Sequence, residues 1–334
     1  MSQGLTADDI RPRITSMAVE VTTACSLKCV GCARTIGHAA GVWHDRHMSA
    51  ALFARICPNL PRLRLVMLHG IGEPTLNPEY PRIVECAARS GRFDVVSANT
   101  HALSRSIAYY RGLVDAGMSH LAISVDSLTQ EIADRTRTGT DVRRLRAQLE
   151  GIAALPVAVT ITVVASRINR TDIVQTLDTL DGLGRFLVHV QPFLDLGHPE
   201  GCLTPDDTRA LHHLVTQGAD TRWANLTIQS SLVFGGASEG TLCDAPWASP
   251  AVTVDGFLTP CCVMWDPATL GFVNVAEMSV EAAFARPSVQ AFLEAYVQRA
   301  PGFCRACHMN SRPVQDAFVP LLRHPSRREI PVAS

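Results

Sequence analysis

The sequence predicts an α/β fold: a partial (βα)6 barrel followed by a small C-terminal α+β extension. Three observations predict it. Six short apolar runs alternate with five longer amphipathic segments before residue 195, the pattern of parallel strands joined by right-handed helical crossovers. The residues best suited to chemistry follow those runs directly, where parallel βα folds carry their functional loops. After Pro205 the alternation stops, and Asp255-Gly256 between two apolar runs signals a hairpin.

The elements follow in order. Met17–Thr22 is a strand that leads straight into Cys25. Ser49 opens a helix over Ala50–Ile56. Leu63–Leu68 is an apolar strand ending at His69-Gly70, and Pro78–Arg89 is a helix closed by Gly91. Asp94–Ala98, His120–Val125, Val157–Val164 and Arg185–Phe193 complete the strands, Val157–Val164 being rich in β-branched residues. Leu103–Ala116, Val142–Ala154 and Thr171–Leu180 are the helices between them. An eight-unit barrel needs about 250 residues, so a partly open six-unit barrel fits better. Further on, Thr204–Gln217 reads as a helix, Leu226–Ser230 as a short strand, Gly235–Gly240 as a flexible link, and Ser279–Arg286 and Ser288–Gln298 as helices. The chain divides into a barrel (1–200), a linking segment (201–234), an extension (235–312) and a tail (313–334).

Composition narrows the function. The 334 residues include 30 Lys+Arg and 31 Asp+Glu, and 47% are hydrophobic. That is globular material without the basic excess of a nucleic-acid binder. No apolar run approaches the ~20 residues that span a bilayer, and the N-terminus has no apolar signal core. The expectation is a cytoplasmic protein with no membrane and no nucleic-acid partner. Its 11 cysteines are an odd number, poor material for a disulfide framework.

Cys25, Cys29 and Cys32 form C-x3-C-x2-C. Three thiolates on one tight loop can hold three irons of a [4Fe–4S] cluster and leave the fourth open for chemistry. A zinc loop completed by His38 or His44 is the alternative. The motif in its place after the first strand resembles the radical S-adenosylmethionine (SAM) superfamily. That resemblance implies a TIM-like partial barrel in which SAM chelates the open iron and is cleaved to a 5′-deoxyadenosyl radical. Gly70-Ile71-Gly72-Glu73-Pro74 resembles the family's GGEP segment, with Glu73 as acceptor for the SAM ammonium and the glycines allowing close backbone approach. Ser124 and Asp126 correspond to ribose-contacting positions, Asn99 ends the third strand, and Arg137 resembles an arginine that meets the SAM carboxylate. One departure is visible: Gly31 stands before the third cysteine, where the family often has an aromatic residue.

Cys243 opens a C-x2-P-W segment, Cys261 and Cys262 follow the hairpin, and Cys304 and Cys307 form C-x2-C. This set resembles the SPASM extension of radical SAM enzymes, or its shorter Twitch form. The resemblance implies one auxiliary [4Fe–4S] cluster on Cys243, Cys261, Cys304 and Cys307. Cys261 is preferred over Cys262 for the preceding proline and its 18-residue step from Cys243. A four-cysteine zinc site is the alternative. Cys57, Cys86 and Cys202 read as incidental thiols.

The implied enzyme is a radical SAM oxidoreductase or lyase. It abstracts hydrogen from a small polar metabolite (a sugar, aminocyclitol or nucleoside), with the auxiliary cluster accepting or relaying an electron. An external flavodoxin- or ferredoxin-type donor would supply the first electron. About two dozen residues precede Cys25, and peptide-modifying members usually carry an additional N-terminal recognition domain. The layout is therefore nearer to Twitch-type aminoglycoside dehydrogenases and to nucleoside sugar-acid decarboxylases of antibiotic biosynthesis. A peptide-modifying SPASM enzyme and an iron–sulfur carrier or maturation factor are the alternatives. Arg34, Arg135, His69 and Gln191 lie near strand ends and could face the pocket.

Overall fold

The computed structural model describes residues 13–193, 199–232, 243–263 and 272–298. Six parallel strands form the centre of one sheet: β1 (Ser16–Val19), β3 (Leu63–Met67), β4 (Phe93–Thr100), β5 (His120–Ser124), β7 (Ala158–Ala165) and β8 (Phe186–Pro192). Six helices lie in the connections between them: α1 (Ala33–Ala39), α2 (Ala50–Ile56), α3 (Tyr80–Arg89), α4 (Ile107–Asp115), α5 (Gln130–Thr136) and α6 (Val142–Ala153). A seventh, α7 (Ile173–Leu183), joins β7 to β8.

The strands form because their outward residues bury against these helices. Val66, Val96, Ala98, Leu121, Ile123, Ile161, Val163 and Val188 belong to one large core with helix residues such as Phe53, Ile83, Leu113 and Leu149. Alternate residues face the lumen. Ala18, Leu65, Met67 and Val95 make a small apolar cluster there with Ala251. Ser97, His120 and Thr160 make a polar one, with Ser97 Oγ to His120 Nδ1 at 2.7 Å and His120 Nε2 to Thr160 Oγ1 at 2.8 Å.

Within the expected linking segment (201–234), residues 201–232 are more than a link. Helix α8 (Pro205–Thr221), capped by the Thr204 side chain, leads to β9 (Leu226–Ser230), which pairs parallel to β8. Leu226 is buried, and Leu211 and Val215 of α8 pack in the same core, so this unit adds to the barrel sheet. At the opposite edge, β10 (Ala251–Val252) pairs parallel to β1 and antiparallel to β11 (Leu258–Thr259). Gly256, at φ +90°, makes the hairpin turn. The sheet therefore runs β11-β10-β1-β3-β4-β5-β7-β8-β9, with β11 and β9 as its edges. Short helices α9 (Ala245–Ala248), α10 (Val280–Phe284) and α11 (Pro287–Gln298) complete the described extension.

Two features were absent from the sequence reading. Helices α1 and α5 follow the first and fourth barrel strands, and a two-residue ladder joins β2 (Lys28–Cys29) to β6 (Arg137–Thr138). Among the described residues no helix is long and apolar enough to cross a membrane.

Candidate active site

The loop after β1 is shaped by its threonines. Thr22 Oγ1 donates to the Arg46 carbonyl and accepts from Ala24 N. Thr23 Oγ1 donates to the His44 carbonyl at 2.9 Å. The chain then passes through Cys25 and Cys29, where β2 pairs with β6 and Val30 N donates to the Thr136 carbonyl. Cys32 caps α1 without a side-chain bond. Arg34 turns inward, donating from Nε to the Thr23 carbonyl and pairing with Asp45. All three cysteines are half-buried. Burial pushes the Cys29 thiol up to about 11, against the pull of Arg137 beside it. Metal binding here must therefore release protons.

The Gly70–Pro74 loop leans on this one. Glu73 N donates to the Ala24 carbonyl at 2.7 Å. A Cβ on Gly72 would lie 2.4 Å from the Thr22 carbonyl oxygen and 2.6 Å from that of Ala24. One on Gly70 would lie 2.2 Å from Glu20 Cγ. The glycines thus allow two protein loops to meet, which is a different reason from the ligand approach expected. The Glu73 carboxylate also has protein partners. Oε1 accepts from Thr75 N, Thr75 Oγ1 and Thr100 Oγ1 at 3.2, 2.7 and 2.7 Å. Oε2 accepts from His101 N at 2.9 Å. Glu73 thereby fixes the turn after β4, where Ala102 sits at φ +60° and its carbonyl accepts from Gln148 Nε2.

Asp126, just past β5, accepts from Val164 N with Oδ1 at 2.9 Å and from Arg137 Nε with Oδ2 at 2.7 Å. Both of its oxygens serve the protein, so its direct product is a fixed guanidinium. The Arg137 Nη1 lies 3.7 Å from Cys29 Sγ. Asn99 N donates to His69 Nδ1 at 3.3 Å.

These residues surround one cavity of about 380 Å³, within the range of about 300–1,000 Å³ usual for small-molecule sites. Cys25, Cys29, Cys32, Gly70, Gly72, Glu73, Asn99, Ser124, Asp126 and Arg137 all line it. Arg34 and Gln191 line it too, whereas Arg135 and His69 do not. Neither His38 nor His44 reaches it, and His38 pairs with Asp45 instead. Among the described residues no three His, Cys, Asp or Glu side chains gather as single-ion ligands. Sequence reasoning missed Phe193, the first residue after β8, whose ring lies against Gly31. No local pattern could have joined two positions so far apart in the chain.

In the extension, Tyr296 donates from its hydroxyl to the Cys243 carbonyl at 3.0 Å and packs edge-on against the buried Trp247. Cys261 follows β11 and is half-buried, while its neighbour Cys262 is exposed. Cys304 and Cys307 lie outside the described residues. Among the described residues the cysteines form no disulfide.

A parallel βα barrel with three thiols at the mouth of its first strand defines a class of enzymes that hold an iron–sulfur cluster beside a nucleoside cofactor. The chain belongs to the radical SAM superfamily, whose model matches residues 19–180, and residues 243–308 match the SPASM iron–sulfur cluster-binding domain. Its cofactors are accordingly a [4Fe–4S] cluster with SAM, and auxiliary iron–sulfur in the SPASM domain. The residues fit these groups: three half-buried thiols and a held arginine share one cavity wall.

Comparison with curated proteins finds no match. Among solved structures, SuiB from Streptococcus suis bound to S-adenosylmethionine is 14% identical, covering 88% of this chain and 72% of that chain, with a TM-score of 0.68. AnSMEcpe with bound AdoMet is 14% identical, covering 89% and 88%, with a TM-score of 0.67. At these identities the likeness establishes the fold.

Proposed function

We propose that this radical SAM enzyme oxidises or decarboxylates a small polar metabolite, a sugar, aminocyclitol or nucleoside, in natural-product (antibiotic) biosynthesis. The observation that carries this reading is the make-up of the cavity. Besides the groups given to SAM below, Ser166 and Gln191 add a hydroxyl and an amide to the lining, groups suited to a polyol. The linked Ser97, His120 and Thr160 continue this polarity into the lumen.

In this reading Cys25, Cys29 and Cys32 hold the cluster that meets SAM. Cys243, Cys261, Cys304 and Cys307 hold the auxiliary one. When bound, these groups supply a primary carbon radical that takes a hydrogen atom and a sink for the electron that an oxidation leaves behind. Arg137 orients the SAM carboxylate, and Asp126 keeps its guanidinium aimed by the 2.7 Å bond to Nε. A planar fork held at one edge still has donors to offer at the other. Glu73 sets the β4 turn and, through Oε2, borders the ammonium. Ser124 and Asn99 border the ribose. A flavodoxin- or ferredoxin-type protein is the proposed electron donor.

A second reading is peptide modification. SuiB has been solved bound to its precursor peptide SuiA, at a TM-score of 0.66 to this chain, and anSMEcpe with the Cp18Cys peptide, at 0.65. The test is formation of 5′-deoxyadenosine by the reconstituted, reduced enzyme with SAM. One set of reactions receives aminocyclitols, sugars and nucleosides, and another receives peptides. Stimulation by a member of the first set, with deuterium passing from its carbon to 5′-deoxyadenosine, supports the metabolite reading. Stimulation by peptides alone replaces it with the second.

A further inference from the structure

The short ladder of β2 and β6 places Arg137 directly opposite Cys29. Its backbone is pinned from both sides. Val30 N donates to the Thr136 carbonyl at 2.9 Å, and the Arg137 carbonyl accepts from Thr140 N at 3.1 Å and from Thr140 Oγ1 at 2.8 Å. Gly139, at φ +100°, turns the chain so close to the cysteine loop that a Cβ on it would lie 3.2 Å from Leu27 Cδ2. The side chain is fixed as well. Asp126 accepts from Nε at 2.7 Å, and Nη1 donates to Cys29 Sγ at 3.7 Å. A guanidinium always carries its charge and has more N–H donors than these two bonds use, so others remain for a ligand.

At the Cys29 sulfur the pull of Arg137 exceeds the opposing push of Asp126. The ion pair therefore presents its positive end to a residue of the cysteine motif. A cluster held by three thiolates is anionic, and one electron from a ferredoxin-type donor adds a further negative charge without making or breaking a bond. A cation and an N–H···S bond at a ligand sulfur stabilise the reduced form more than the oxidised one, which is how surrounding groups tune a metal centre. We propose that Arg137, through its Nη1–H···Sγ bond to Cys29, raises the reduction potential of the SAM-site cluster and so eases its one-electron reduction. This role is separate from orienting the SAM carboxylate, because it operates before SAM binds. It rests on the assignment of the cysteine loop to that cluster.

The test is a redox titration of the reconstituted, SAM-free protein with dithionite, followed by EPR. Iron content is measured alongside. The SAM-site signal is the one that changes when SAM is added afterwards, and the auxiliary signal is the internal control. In Arg137→Gln the reduction equilibrium of the SAM-site cluster becomes about tenfold less favourable, ~59 mV for a one-electron couple, and the auxiliary potential keeps its wild-type value. Arg137→Lys keeps the charge and recovers most of the shift. An unchanged SAM-free potential in Arg137→Gln, with SAM binding weakened, would show that the arginine serves the ligand alone, and the proposal falls. Equal shifts in Arg137→Gln and Arg137→Lys would mean a disturbed loop rather than a lost charge, and overturn it as well. Isotopic labelling of the guanidinium nitrogens reads the contact without altering the loop. Pulsed EPR of the reduced, SAM-free wild type shows a coupling to labelled nitrogen that Arg137→Lys lacks. Absence of that coupling in the wild type overturns the proposal even if Arg137→Gln takes up no iron. A wild type whose reduced spectrum does not change when SAM is added refutes the cluster assignment itself.

Discussion

Glu20 is the residue whose chemistry is most exposed to measurement. It follows β1, is buried, and its carboxylate accepts from Ile71 N with Oε1 and from Val254 N with Oε2. It therefore touches the glycine loop and the extension hairpin together. Burial raises its pKa from 4.5 to about 7, against those two backbone donors and the Arg46 charge, with Asp255 adding to the rise. The sign follows from proton counting. Between pH 4.5 and about 7 the folded chain keeps this proton and the unfolded chain has lost it. The folded state thus binds more protons, and stability falls as pH rises through that window. A shift of this size corresponds to about 3 kcal/mol. Glu20→Gln removes the titration and keeps an acceptor. Its urea midpoint relative to wild type should rise between about pH 5.5 and about pH 8. Parallel pH profiles for the two proteins would show that Glu20 does not titrate there.

The elements that frame the site differ in how legible they are. All six barrel strands follow from alternation of apolar runs, and Ser49, Asp141 and Thr204 cap their helices through side-chain oxygens. Helix α1 lacks such a signal: its cap is Cys32, which makes no side-chain bond, and its Arg34 points inward. The β2–β6 ladder has only two residues on each side, too few to show a period. The cysteine motif is local and therefore readable, and so is the glycine segment. The reason for the glycines is not, because it lies in contact with Thr22 and Ala24 across the fold. Gly72→Ala tests that reason. Its Cβ meets only backbone, which cannot swing aside, so the loops must part and the Glu73–Ala24 bond must stretch. Iron uptake on reconstitution should fall sharply. Gly91→Ala is the control. Unlike Gly72, Gly91 has a positive φ, +63°, but nothing lies within 4 Å of its added Cβ, so its iron uptake should match the wild type. Equal loading of both variants would contradict the loop-contact account.

At the scale of the whole molecule, the extension is part of the barrel sheet. Strand β10 lies beside β1, whose own continuation is the cysteine loop. Asn59 Nδ2 donates to the Val275 carbonyl at 2.8 Å, and Arg46 pairs with Asp255. Trp247, Leu258, Phe284 and Leu293 share one hydrophobic core with the barrel helices. Sequence spacing identified the extension and its hairpin. Its attachment to the β1 edge, and the joining of residues 226–230 to the other edge, depend on long-range pairing that no local pattern records. The shared sheet holds Cys261, just past β11, and the barrel's cysteine loop in one framework.

As proposed above, the chain carries two four-iron clusters, one for SAM and one as electron sink. Iron and sulfide per chain after anaerobic reconstitution test it most directly. About eight of each are expected. About four, with zinc bound at the extension, would contradict it, make the C-terminal cysteines structural and leave the barrel to a redox-neutral radical reaction.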